Sequence, residues 1–218
     1  MFRPFRLLML AVLAATVYAG FFWLPPPEAP DGVFDAKIVA AHEIAAWQAV
    51  RTHRDFEVYF AIVQMLREQN RCTWFRAIQS GFYLTRAMTT FSGLHTRYER
   101  VLPDLEAAAG VEKAWRKTSV DPVAVARAQL NWWVIRRMPN LNAVDQIGVL
   151  IAEEYALRYP LAGGRTVEAA HLRAQAVKML DQDAVEPDWK IMSDLLVQSH
   201  RLLGVALAQT PAVPVRGR

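Results

Sequence analysis

The stretch 121–139, DPVAVARAQLNWWVIRRMP, reads as one complete helix with both ends marked. Asp121 supplies an N-cap carboxylate, and Pro122 fits the first helical position, where a missing N–H is no loss. At the far end Arg136 and Arg137 stand where the helix dipole is negative, and Pro139 stops the helix. Between these ends, Ala126, Leu130, Trp133 and Val134 share one side, while Trp132 lies about 100° further round, toward Gln129 and Arg136. Neighbouring tryptophans cannot share one stripe. Either this helix is buried on two sides of a bundle, or Trp132 and Arg136 form a cation–π pair on a surface that holds a partner. The high average burial of tryptophan favours the first reading. Trp47 and Arg51 repeat the spacing and the same choice, so these four residues are the candidate interaction set.

Outward from this segment the apolar residues recur every three or four positions, and no β-branched alternation bounded by turns is sustained. Helices are expected over roughly 36–53, carrying Ile38, Ala41, Ala45, Trp47 and Ala49, and over 56–69, with Phe56, Tyr59, Phe60, Val63 and Leu66. These two could also be one long helix bent near Asp55. A third, over 73–91 with Thr73 as N-cap, is rich in Trp74, Phe75, Phe82, Tyr83 and Phe91 and is expected at the centre of the core. Others follow from Pro103 to Lys117, from an Asn142 cap to Tyr159, and from a Thr166 cap to Asp181. The last starts after Glu186-Pro187, with Trp189, Met192, Leu196, Ser199, Leu203 and Leu207 close to one face. The fold class is therefore all-α, an irregular bundle of about seven to eight helices over 35–208. Helix spacing is uneven, and no repeat signature is present.

Ahead of that domain runs LLMLAVLAATVYAGFFWL, residues 7–24, 18 residues without a charge and near the minimum for a membrane-spanning helix. Arg3 and Arg6 precede it; Glu28, Asp31 and Asp35 follow it. The basic flank is expected in the cytoplasm and the rest of the chain across the membrane. Leu7, Leu8, Leu10, Val12, Leu13 and Val17 would meet lipid, and Phe21, Phe22 and Trp23 the outer interface. The rival reading is a signal peptide cut after Ala19; the apolar run continuing to Leu24 argues for an anchor over 1–24. Pro25, Pro26, Pro27, Pro30 and Gly32 make a stiff stalk over 25–34, and 209–218 reads as a flexible basic tail. The expected address is the inner (plasma) membrane, single-pass, with the N-terminus cytoplasmic and the domain periplasmic or otherwise extracytoplasmic.

The charge of +4 and pI near 9.4 do not point to nucleic acid. Four positives sit at the termini, as Arg3, Arg6, Arg216 and Arg218, and the remaining excess is scattered where a phosphate-binding stripe would be dense. Cys72 is the only cysteine, which excludes a disulfide within the chain and any CxxC site. His42-Glu43 opens a zinc-protease box that fails at Ala46, where the second histidine belongs. No G-x-S-x-G is present; Ser80-Gly81 and Ser92-Gly93 lack its flanks. Gly163-Gly164-Arg165-Thr166 reads as an interhelix turn and not as a phosphate loop. No catalytic residue, metal or cofactor is assigned. The function expected is a non-enzymatic, membrane-anchored interaction or accessory protein of the bacterial cell envelope, its partner another envelope protein or membrane complex. The alternative is an anchored enzyme whose acid/base or metal site assembles from Glu154, His171 and His200. An ion pair from Glu154 to Arg158, one turn on, explains that glutamate more simply.

Overall fold

Helix ends in this chain are set by short side chains and by left-handed residues, and these cut it into nine α-helices with no strand among the described residues. The computed structural model describes residues 3–27, 29, 33–181 and 186–209, with the backbone alone at 3–8 and 163. Part of the expected stalk (28 and 30–32) and all of the expected tail beyond Gln209 lie outside the described residues.

The carboxylate of Asp35 accepts from the N–H groups of Lys37 and Ile38 and starts α2 (Ala36–Arg51). His53, at φ 53°, turns the chain, so α2 and α3 (Asp55–Asn70) are two helices and not one bent helix. Arg71 at φ 49° ends α3, and the Thr73 hydroxyl, accepting from the Arg76 N–H, opens α4 (Trp74–Gly93). Then follow α5 (Leu102–Arg116), with Pro103 in its first turn, and α6 (Pro122–Ile135), capped by Asp121 as its sequence dictates. Two expected caps are absent. In α7 (Val144–Arg158) the cap position is Ala143, because Asn142 instead donates from its side chain to the carbonyl of Arg136. In α8 (Val167–Leu180) Thr166 makes no side-chain cap bond, since a 3-10 turn over Gly163–Thr166 leads straight into the helix. Asp188 caps α9 (Trp189–Ala208).

Each helix from α2 to α9 packs on the next, and α9 packs back on α2, so eight helices close into a ring. The core it surrounds is continuous, from Val39 and Ala40 on α2 through Ile147 and Ile151 on α7 to Met192, Leu196 and Leu203 on α9, all fully buried. The stripe expected on α9 is thus the face turned inward. On α4 the expectation inverts. Trp74, Phe75 and Phe82 are 36%, 38% and 52% exposed, and the inward face carries Ala77, Ser80, Gly81, Thr85 and Ala87, with Phe91 its one buried aromatic. Small residues let α4 approach α3 so closely that a Cβ on Gly81 would come within 2.6 Å of Val63 Cγ2. Phe56 and Phe60 on α3 also face outward, packed edge to face with centroids 4.7 Å apart.

The N-terminal run forms α1 (Arg3–Phe22). Its last turn stacks on the ring, Phe22 against Phe75 at 5.0 Å, and Arg71 donates to the carbonyl of Pro26 at 3.1 Å. The expectation of a span over 7–24 is not met within the described residues, among which no helix is long and apolar enough to cross a membrane. Leu7 and Leu8 are described by backbone alone, and from Met9 to Phe22 the helix rises only about 21 Å, against a hydrocarbon core of about 30 Å.

Candidate ligand site

The ring holds a cavity of about 240 Å³ that is partly open to solvent, with the exposed Arg51 and Ser92 at its rim. Its wall is built mainly by α2, α4, α6 and α8, with Ile62 and Met65 added from α3. On α2, Glu43, Trp47 and Arg51 stand one turn apart, so four-residue spacing puts all three on the face turned to the cavity. From α6 come Trp132 and Trp133, 5% and 6% exposed, which resolves the choice the sequence left open: this helix is buried on two sides. Trp133 packs on Phe91 at 5.1 Å. Arg136 and Arg137 follow at its C-terminal end, and α8 contributes Arg173, Leu180 and then Asp181.

The four residues of the candidate interaction set, Trp47, Arg51, Trp132 and Arg136, therefore line one interior cavity. The tryptophans of both pairs are buried, so no exposed tryptophan face is available from them. Nor does Arg136 lie over Trp132. It pairs with Asp181 at 3.3 Å, and the guanidinium over the Trp132 ring, at 5.9 Å, belongs to Arg173. Arg51 donates to the carbonyl of Leu180 at 3.3 Å, at the C-terminal end of α8.

Among the described residues four guanidiniums face two carboxylates here, those of Glu43 and Asp181. Arg173 donates to Glu43 Oε1 at 2.5 Å and to the Tyr155 hydroxyl at 3.1 Å. The other oxygen of Glu43 lies 2.8 Å from His200 Nε2. Burial alone would raise the Glu43 pKa, but Arg173 and His200 outweigh it and hold this carboxyl below its ordinary value. Burial likewise opposes the charge of Arg173, yet Glu43 and Tyr155 beside it raise its pKa on balance. Arg136 differs: burial lowers its pKa, and Asp181 compensates only in part. Arg137 donates to the carbonyls of Phe91 at 2.9 Å and Leu94 at 2.7 Å and lies over the Phe91 ring at 4.1 Å. Among the described residues neither Arg51 nor Arg137 has a carboxylate within ion-pair distance, and the Nε–H groups of Arg136 and Arg173 have no acceptor.

Glu154, His171 and His200 do not come together. Glu154 accepts from the Trp132 indole at 2.7 Å and pairs with Arg158 at 2.8 Å, the ion pair its spacing suggests. Arg158 continues to Glu112, and Glu112 to Arg116 at 3.4 Å, making a charged strip beside the cavity. His171 is 3.6 Å from Asp145, its side chain 43% exposed, and His200 is engaged with Glu43. Among the described residues no group of three His, Cys, Asp or Glu side chains is placed to hold a metal ion. Cys72 is buried, which pushes its thiol up to about 11.

The residues that reading the sequence passed over are Glu43, Arg137 and Arg173. Glu43 drew notice only as part of a failed protease box. A signal was present: Glu43 lies one turn from Trp47, and Arg173 lies among Ala169, Ala170, Ala174 and Val177, so each charge sits on an otherwise apolar, inward face. No protein family, curated protein or solved structure matches the chain.

Proposed function

We propose that this chain is a membrane-anchored accessory protein of the bacterial cell envelope, whose helical ring acts by binding and is held near the membrane by α1. The observation that carries the anchor is the state of α1. Met9, Leu10, Val12, Leu13 and Val17 are 55–63% exposed, so its apolar side chains have no protein partner along most of its length. Leaving apolar surface in water costs about 25 cal/mol per Å², and lipid removes that cost. Arg3 and Arg6 ahead of the uncharged run favour a cytoplasmic N-terminus and an extracytoplasmic ring.

Binding is favoured over catalysis because the acid/base trio has other partners, whereas the tryptophans and arginines converge on one cavity. The partner on this reading is another envelope component. Washing native membranes with alkaline carbonate tests the anchor: the full chain should stay in the pellet with its Met1 end intact by mass spectrometry, and a chain lacking 1–24 should be released. Release of the full chain, or a mature end at Gly20, would refute it.

A further inference from the structure

We infer that the central cavity is a binding site for one small organic anion, a carboxylate or phosphate monoester on an apolar, preferably aromatic, body. This rests on the binding reading above and is independent of the anchor. Charge is the first support. Among the described residues Arg51, Arg136, Arg137 and Arg173 face Glu43 and Asp181, a surplus of two positive charges in a space walled mainly by apolar side chains. Arg51 and Arg137 donate to backbone carbonyls, which accept hydrogen bonds without neutralising the charge. An anion in the cavity supplies the counter-charge, and the apolar part of the wall strengthens that attraction over one between fully solvated groups.

Unpaired donors are the second support. Among the described residues the buried Nε–H groups of Arg136 and Arg173 have no acceptor, a situation that native interiors rarely leave standing. Carboxylate and phosphate oxygens suit guanidinium donors better than any neutral acceptor does. The remaining wall defines the rest of the ligand. Trp47, Trp133 and Phe91 bring aromatic rings to the wall, and Met65 and Met88 bring flexible thioethers, a lining that favours an apolar, aromatic group. A cavity of about 150 Å³ holds a benzene ring, so about 240 Å³ has room for a phenyl ring carrying a short acidic group. A volume of about 240 Å³ between five helices suits a small molecule better than a peptide helix or strand.

Phenyl phosphate and phenylacetate are the probes, titrated into the full-length protein in detergent while tryptophan fluorescence is followed; benzyl alcohol and benzylamine are the neutral and cationic controls. Both anions should give saturable changes at sub-millimolar to millimolar concentrations, with the controls at least tenfold weaker. Arg51→Gln, at the exposed rim, should weaken binding about tenfold or more while its circular dichroism and unfolding midpoint stay those of the parent. Arg137→Lys, which keeps the charge, should bind within a few-fold of the parent. The inference is overturned if neither anion saturates at 10-millimolar levels (~10 mM), if benzylamine binds as well, or if Arg51→Gln binds unchanged. Should the anions fail while a stoichiometric envelope protein stays bound through purification, the small-molecule site is lost and the accessory reading stands.

Discussion

At the residue scale the chain's chemistry turns on Glu43, which joins three helices by accepting from Arg173 of α8 and contacting His200 of α9. Its carboxyl is held below its ordinary 4.5 by Arg173 and His200 against the opposing effect of burial, so the unfolded chain binds a proton there more readily than the folded one. The resulting stability is complete above about pH 4.5 and declines as pH falls through the lower folded value. Urea midpoints measured from pH 7 to pH 3 should therefore drop most steeply below pH 4.5, and the slope there should be shallower in Glu43→Gln. At neutral pH Glu43→Gln should lose about 3–5 kcal/mol, because it leaves the buried Arg173 charge uncompensated. A flat acid profile, or a loss below about 1 kcal/mol, would contradict this role. The sequence placed Glu43 in view but could not show this: its partners lie 130 and 157 positions away, and no local pattern links them.

At the element scale the starts and stops were largely legible, because capping is local chemistry. Thr73 and Asp121, two of the four caps expected, accept from the first-turn amides that follow them, and Asp35 and Asp188, not singled out beforehand, do the same. Where a capping residue had a competing partner, as Asn142 has in the Arg136 carbonyl, the signal misled. The inside of α4 was not legible for a different reason. Periodicity weights large aromatics, whereas the contact between α3 and α4 depends on the absence of a side chain at Gly81. Gly81→Ala gains helix propensity but drives a methyl group into Val63, whose β-branched side chain has little freedom to turn away. A net destabilisation of about 1–3 kcal/mol is expected from chemical unfolding. Restoring space with Gly81→Ala/Val63→Ala should return part of it. A stabilised Gly81→Ala would mean that the two helices do not pack this closely.

At the scale of the whole molecule the sequence conveyed an all-α domain after an apolar helix, but not the ring. Closure needs α9 to meet α2 across most of the chain, through contacts such as His200 with Glu43. The same closure explains why Trp47, Arg51, Trp132 and Arg136, chosen in pairs by spacing, meet around a shared interior space. The seven tryptophans report on this arrangement individually. Trp23 is 71% exposed, whereas Trp132 is buried with its indole N–H bonded to Glu154 at 2.7 Å. The most direct measurement is a set of indole nitrogen–proton NMR spectra of the full-length protein, recorded during exchange into heavy water and again with added phenyl phosphate. The indole signal of Trp132 should be strongly protected from exchange while that of Trp23 is lost at once, and phenyl phosphate should shift Trp47, Trp132 and Trp133 while leaving Trp74, Trp115 and Trp189 in place. Equal exchange of Trp132 and Trp23, or shifts confined to the tryptophans outside the cavity, would contradict a closed helical ring built around an anion site.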